Sequence, residues 1–520
     1  MSLPWTRSCR RAETAASLFL SLSFLAITTA TAVTAQTTYV VDNWDDSGDI
    51  SLGDGICDAG SFGCTFRAAV EQASAISNPL SGPFTVEVPP DPAGTGQHPL
   101  VFDLGTIYLN RAITIRGTGP SPTIIEFNAV ATSAYAILSD TGFGGSSPDE
   151  IVIENLDFRL RGRTTGVLAS GSNVTIRDTI FRPADGGQGP GIEVGMTSGA
   201  VTTCERCQFL GGGSPGIIAN GPTSAGKLFV IDSVFRDIEV IETTQGGAMQ
   251  LTGGSTHILR SEFSGNSVDT TTSSSRRGPT GSGLGGAIFI DGNGTGALLT
   301  MVNSTLDGNT AAQRGGGIYA EQSHVNLANV TITENHAGDY AGGGGIYAGN
   351  LGVVQPKNSM IALNTSQPCA GTLCLVEGWE CGGLGIESLG YNLIFRNNAC
   401  NINQLGGNTD ATGILPKLLP LTDLGGYARV RPLESDSFGV DDGNPAGCFA
   451  DDDLEGGTSE VELIEDQRGA LRPEDGDLSG TAQCDIGAYE YDCAAREASC
   501  QANPSIFADG FEAGNTTAWQ

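Results

Sequence analysis

Few side chains in this chain could move a proton at neutral pH. The lysines are Lys227, Lys357 and Lys417, and the histidines are His98, His257, His324 and His336. Abstraction of a proton beside a carboxylate needs such a base, together with a cation held by oxygen ligands. No lysine stands beside an acidic cluster in sequence. His324 and His336 are close enough in the chain to approach one another, yet they read more simply as turn or surface residues. Arg236, Arg260 and Arg314 are the best-placed arginines, and each reads as a solvated residue. Three acidic loops, Asp42 to Asp58, Asp441 to Asp453 and Glu474 to Asp477, have the oxygen-rich composition that suits calcium, but none has EF-hand spacing. No cofactor is expected, calcium being the one candidate. Cys204-Glu205-Arg206-Cys207 could suggest zinc or redox chemistry, but a lone Cys-x-x-Cys in an exported chain reads as a disulfide or as partners on neighbouring segments. No catalytic residue and no metal ligand is assigned.

The elements that would position these residues form a repeat. Short apolar strands close on Phe158, Phe181, Phe209, Phe235, Phe263, Leu306 and Ile332, spaced 23, 28, 26, 28, 43 and 26 residues apart. Further strands read Gly246-Gly247-Ala248-Met249, Gly285-Gly286-Ala287-Ile288, Gly316-Gly317-Ile318-Tyr319 and Gly344-Gly345-Ile346-Tyr347. A period in the twenties with two or three strands per period predicts a solenoid whose closing residues stack inward. The 43-residue interval contains Thr270 to Arg277 and reads as a loop protruding from one coil. An asparagine follows the closing residue by three positions at Asn266, Asn309, Asn335 and Asn364. Asparagine tolerates turn conformations and bonds backbone there, so the four read as a structural ladder along one edge, with a row of ligand contacts as the alternative.

The ends differ from the middle. Arg7, Arg10 and Arg11, the apolar run Leu18 to Ile27 and Val33-Thr34-Ala35 read as a secretory signal over 1–35. No later stretch is apolar enough to span a membrane. With three Arg and one Glu in the leader, the net charge of −32 would become −34 after its removal. Such a balance argues against nucleic acid and fits solubility by repulsion or cation binding. Cys9 leaves with the leader. The remaining twelve cysteines, Cys57, Cys64, Cys204, Cys207, Cys369, Cys374, Cys381, Cys400, Cys448, Cys484, Cys493 and Cys500, are disulfide candidates in an oxidising compartment. Residues 64–75 carry the one convincing helix pattern before the coils, suited to covering the first coil's open end.

Several segments resemble known families. Asp54-Gly55-Ile56-Cys57-Asp58 followed by Cys64-Thr65-Phe66-Arg67-Ala68-Ala69 resembles the CSLREA domain of secreted bacterial proteins; Thr65, Phe66 and Ala68 depart from its letters. The coils resemble the right-handed parallel β-helix of polysaccharide-active enzymes and surface adhesins. Phe263-Ser264-Gly265-Asn266 with Gly285-Gly286-Ala287-Ile288 resembles the chlamydial polymorphic outer-membrane adhesins. Asp466-Gln467-Arg468-Gly469 with Asp485-Ile486-Gly487-Ala488-Tyr489-Glu490 resembles the choice-of-anchor Q region of secreted bacterial β-helix proteins. Phe507 to Glu512 resembles a short tail of exported bacterial proteins. Polygalacturonase-like hydrolases use four motifs, of which Asn408-Thr409-Asp410 and Asp441-Asp442 match here while Gly-His-Gly and Arg-Ile-Lys are absent.

These readings predict an all-β, right-handed parallel β-helix with an N-terminal helical cap and a disulfide-rich C-terminal cap. The expected divisions are a leader at 1–35, a CSLREA-like cap at 36–90, coils at 91–365, a choice-of-anchor Q-like region at 366–492 and a tail at 493–520. The leading expectation is a secreted or cell-surface monomer that binds an extracellular glycan or a surface protein, and the scarcity of lysine and histidine in the coils favours a non-enzymatic role. The alternative is a polysaccharide lyase or glycoside hydrolase.

Overall fold

The computed structural model describes residues 37–492, apart from 61–62, 76–82, 91–99, 103–104, 128–134, 141–149, 185–186, 197–198, 222–225, 242–244, 270–282, 295, 340–341, 367–378, 398–399, 408 and 452–459. The leader, the C-terminal tail, the 270–277 loop, His98 and Asn408 therefore lie outside the described residues, as do Cys369, Cys374, Cys493 and Cys500.

The chain winds as a right-handed parallel β-helix. One coil runs Glu150–Glu154, Leu156–Leu160 and Thr165–Ser170, and the next begins at Asn173–Arg177, in register above the first with Val174 opposite Ile151 and Ile176 opposite Ile153. Stacked coils build sheet I of 13 strands, sheet II of 12 and sheet III of 10, with a 5-stranded sheet IV between II and III in the later coils. Alternation turns every second side chain inward, so Ile151, Ile153, Val174, Ile176, Leu228 and Val230 are buried beneath sheet I.

The corner between sheets I and II is short, one residue between Glu150–Glu154 and Leu156–Leu160 and two in the next coils. It is left-handed at Asn155, Asp178, Arg206, Asp232, Arg260, Asn303, Asn329, Asn358 and Tyr391, with φ between 45° and 57°. Asn and Asp visit this region most readily among residues with a side chain. The two arginines there are fixed by ion pairs to the aspartates one coil below, Arg206 to Asp178 at 2.6 Å and Arg260 to Asp232 at 2.7 Å. Three residues past the corner, sheet II sends an aromatic inward. Phe127, Phe158, Phe181, Phe209, Phe235 and Phe263 stack with centroids 4.5–5.5 Å apart, and Leu306 and Ile332 continue the column.

The helix is Phe66–Ser74, with Thr65 as N-cap accepting from Ala68 N. Its apolar face packs on the strands Phe84–Val88 and Ile107–Leu109 at the start of the rod. Those of its side chains that face the coil are fully buried. Thr37–Val40 and Phe84–Val88 are themselves the first rungs of sheet I, so the coils begin inside the segment expected to be only a cap. They also run past the expected limit of 365. Cys381–Gly383, Ile386–Ser388, Leu393–Ile394, Ile402–Gln404 and Ala411–Thr412 all pair in parallel with the coil before. The closing residue persists at Ile361 and Ile394, but the Gly-rich spacing around it hides the period.

From about 415 the chain doubles back along the outer face of sheet II. Phe235 lies in the middle of the aromatic column with no exposure. Phe235→Ala should lower the unfolding free energy by about 3–5 kcal/mol through the cavity it leaves. Denaturant titration measures this, and a loss below about 1 kcal/mol would contradict the stacked interior.

Candidate functional site

The four asparagines are fully buried and lie one above another. Asn266 Nδ2 donates to Asn309 Oδ1 at 2.9 Å, Asn309 Nδ2 to Asn335 Oδ1 at 2.8 Å, and Asn335 Nδ2 to Asn364 Oδ1 at 2.9 Å. Oδ1 of Asn309, Asn335 and Asn364 also accepts the main-chain N–H of the asparagine below, Asn266 Oδ1 accepts from Ile238 N, and each Nδ2 donates to a main-chain carbonyl, as Asn335 does to Leu306 O at 3.0 Å. No ligand could reach them. The column ends at Glu380, whose Oε2 accepts from Asn364 N at 2.9 Å and Asn364 Nδ2 at 2.8 Å. Sequence gave no sign of this cap, because Glu380 stands 16 residues past the last asparagine. A second column, also unforeseen, links Ser233, Ser261 and Ser304, each hydroxyl accepting the main-chain N–H of the coil below.

Four disulfides join described cysteines: Cys57–Cys64, Cys204–Cys207, Cys381–Cys400 and Cys448–Cys484. The first sits beside the helix, and the second spans the left-handed corner at Arg206. The third ties the last coils, and the fourth lies in the folded-back region. With both of its thiols in one bridge, the Cys204/Cys207 pair offers no zinc site.

The candidate bases are dispersed. Lys357 pairs with Glu460 and lies near the Phe449 ring, Lys417 pairs with Asp436, and Lys227 stands four coils before Lys357 on sheet I. His324 bonds Gln355 on sheet I and His336 bonds Thr365 on sheet IV, so the two do not form a pair. His257 stacks on Phe229 at 4.9 Å. Arg236, Arg260 and Arg314, read as solvated, instead face carboxylates brought by other coils or loops: Glu262, Asp232 and Asp339. Thr409 and Asp410 bond the main chain of Tyr391 and Asn392, which makes them rung residues of the last coil.

Two of the acidic loops meet. Asp441, Asp475 and Asp477 bring carboxylate oxygens within 4.8 Å of one another. Backbone amides already engage them: Asp441 accepts from Asp477 N at 2.7 Å, and Asp475 accepts from Ser479 N and Gly480 N, both at 2.9 Å. In the Asp42–Asp58 loop, Asp49, Asp54 and Asp58 likewise accept from Ser51 N, Ile56 N and Gly60 N.

The decisive asymmetry is between the outer faces of the sheets. On sheet II, Glu262 is fully buried beneath Arg429, whose Nε donates at 3.0 Å, while Arg236 donates from the other side at 3.1 Å. Burial would raise the Glu262 pKa, but the bonds from Arg429 and Ser264 and the charge of Arg236 outweigh it and hold it below its ordinary value. Farther along, Arg431 meets Asp307 at 2.7 Å, Thr305 Oγ1 donates to Gln467, and Arg472 Nη1 donates to Asn303 Oδ1 at 2.9 Å. Met360, Ala362 and Leu393 pack under Val430, Leu433, Ile486 and Tyr489. The Asp466–Gly469 and Asp485–Glu490 segments form one buried knot, with Asp466 accepting from Arg468 and from Glu490 N, and Glu490 paired to Arg472 at 3.0 Å. Their role is to hold the folded-back region on the coils.

Among the described residues, none covers sheet III in this way. Its outward row pairs Leu168, Glu193, Ile218, Gln250, Phe289, Tyr319 and Tyr347 across seven successive coils, about 30 Å at ~4.8 Å per coil. All are half-buried except Phe289 and Tyr319, which the ring stack itself encloses. A second row carries Asn220, Thr252, Asp291 and Glu321. Tyr319 Oη donates to Glu321 Oε2 at 2.7 Å, and burial followed by that carboxylate pushes the Tyr319 pKa up. Arg314 donates to Tyr347 Oη at 3.1 Å and lies 4.9 Å from the Tyr347 ring centre. Burial raises Glu193, against hydrogen bonds from Tyr135 and Asn220. On sheet II, a cleft of about 20 Å³ between Leu160, Arg182, Pro183 and Ser214 has room for a water and not for a sugar.

With this geometry in hand, the comparisons bear on one coil. Residues 303–321 match the Chlamydia polymorphic membrane protein repeat. The matched stretch begins at the corner residue Asn303, includes Asn309, and ends at Tyr319 and Glu321 on sheet III. It lies one coil later than the Phe-x-x-Asn and Gly-Gly-Ala-Ile pairing that carried the resemblance in sequence. This segment is thus similar to a repeat of bacterial membrane proteins. No curated protein matches the chain. Among the described residues, no helix is long and apolar enough to cross a membrane.

Glu380 gives the ladder a pH dependence. Burial pushes its pKa from 4.5 up to about 7, against the bonds from Asn364. A raised folded-state pKa makes this contribution complete below pH 4.5 and loses it as pH rises through about 7. Relative to Glu380→Gln, the wild type should lose on the order of 3 kcal/mol between about pH 4.5 and 8. Denaturant midpoints for both proteins across that range check this; parallel curves would contradict it.

Proposed function

We propose that the protein is an exported β-helix that works outside the cell or at its surface, binding an extracellular glycan or partner along the outward face of sheet III without covalent chemistry. The observation that carries this reading is the contrast between sheets. The folded-back region covers the outer face of sheet II along its later coils, while among the described residues the row on sheet III is half-exposed at Leu168, Glu193, Ile218, Gln250 and Tyr347. A parallel solenoid offers such a row as an extended surface. The leader-like N-terminus, the four disulfides and the CSLREA-like and choice-of-anchor Q-like segments support export. The local likeness to a membrane-protein repeat supports a surface location.

A lyase or hydrolase is the weaker reading. Arg236, Arg260 and Arg314 each have a carboxylate partner, and for Arg260 the hydrogen bond to Asp232 raises the pKa. A guanidinium held this way keeps its proton. Lys357 and Lys417 are tied in the same manner.

The test is incubation of the full protein with a panel of uronate, neutral and amino-sugar polysaccharides, followed for binding to any member and for new reducing or unsaturated ends. Binding without new ends is expected. The paired substitution Ile218→Arg and Gln250→Arg should weaken that binding about tenfold at an unchanged melting temperature. Unsaturated ends, or binding indifferent to the paired substitution, would contradict the proposal.

A further inference from the structure

The charge and hydrogen-bonding pattern of sheet III narrow the ligand class. Outward carboxylates stand at Glu193, Asp291 and Glu321, with Asp339 at the border. Arg314, the cation placed among them, is engaged by Asp339 and by the Tyr347 hydroxyl. The whole chain carries a net charge of −32. Among the described residues, the outward carboxylates of this face outnumber its cations, so an anionic polymer laid along it would meet like charges. A carboxylate offers about four acceptor sites. The donors that the described residues give Glu321 are Tyr319 Oη and Asn350 N, and both fall on Oε2, which leaves Oε1 to take another. Glu193 is half-buried, and burial raises its pKa against hydrogen bonds from Tyr135 and Asn220.

The shape of the ligand follows from the backbone. Strands of sheet III pair with the coil above and the coil below, so no strand edge runs alongside the row. An extended peptide has no edge here to join by strand addition. Contact must be made by side chains to donors carried on the outside of the ligand. The rings of Phe289, Tyr319 and Tyr347 are stacked on one another at 5.5–5.6 Å, so they present hydroxyls and ring edges rather than open faces.

We propose that the outward face of sheet III binds a glycan bearing protonated amines, a polymer of amino sugars with free amino groups. The proposal rests on the reading of sheet III as the binding face. Ammonium groups along such a chain donate to Glu193, Asp291 and Glu321, and its hydroxyls bond Asn220, Gln250 and Thr252.

The experiment is calorimetric titration of the full protein at about pH 5.5 with hexamers of glucosamine, N-acetylglucosamine and galacturonate, and with hexa-arginine. The glucosamine hexamer should bind at least about tenfold more tightly than the other three and weaken several-fold between about 50 and 300 mM salt. The double variant Glu193→Gln, Glu321→Gln should lose about tenfold, while Glu87→Gln on sheet I should lose nothing. Equal binding of the acetylated hexamer, lost in the Ile218→Arg, Gln250→Arg protein, overturns the amine requirement and leaves sheet III as the binding face. Tighter binding of hexa-arginine, or glucosamine binding indifferent to the double Gln variant, overturns the proposal. Absence of binding by every probe also rejects it.

Discussion

Everything in this molecule depends on vertical register between coils. A parallel solenoid holds only if each coil places its corner where the previous one did, because a slip of one residue would turn every inward side chain out. One left-handed residue at the corner between sheets I and II fixes that position nine times over. Once it is fixed, the Phe column, the Ser column and the Asn column follow on the same vertical lines. The Asn column leaves each buried amide with its donors and acceptors met, which is the condition for polar groups inside the rod. An amide there with an orphaned partner would cost about 1–3 kcal/mol. Register also makes outward rows, and those rows are what a partner could read.

The folded-back C-terminal region uses the same register from outside. Its arginines reach carboxylates that the coils present at fixed heights, Glu262 and Asp307 on adjacent rungs of sheet II. A buried carboxylate is stable only with such partners, since removing them leaves an uncompensated charge. Glu262 therefore marks the face as one meant to be covered. Buried ion pairs of this kind fix placement more than they add stability. Their effect here is to close the later coils of sheet II, whereas among the described residues sheet III keeps most of its outward row half-exposed.

The interior of the rod was legible because its chemistry repeats. Phe158 to Ile332 and Asn266 to Asn364 recur at near-constant spacing, so period alone identifies their column. The corner was equally legible in principle. It stands three residues before each closing residue, and Asn155, Asp178, Asp232, Asn303, Asn329 and Asn358 share the side chains that tolerate the left-handed region. What escaped were interactions without a period. Glu262 and Arg429 are 167 residues apart, and Thr305 and Gln467 are 162 apart. Gly-rich spacing hid the coils beyond 365, because glycine removes the apolar alternation that marks a strand. The sheet III row was invisible for a different reason. Its residues change type from coil to coil, from Glu193 to Ile218 to Gln250, and only the register aligns them.

The central claim is that sheet II is covered and sheet III is open. Hydroxyl-radical footprinting of the full protein tests it most directly, because it reads side-chain access at both faces in one sample. Met360, on the outer face of sheet II, has no exposure, while Tyr347 and Ile218 on sheet III are half-exposed. The account predicts slow oxidation of Met360 despite the high intrinsic reactivity of its thioether, together with ready modification of Tyr347 and Ile218. Fast oxidation of Met360 with Tyr347 and Ile218 protected would contradict it.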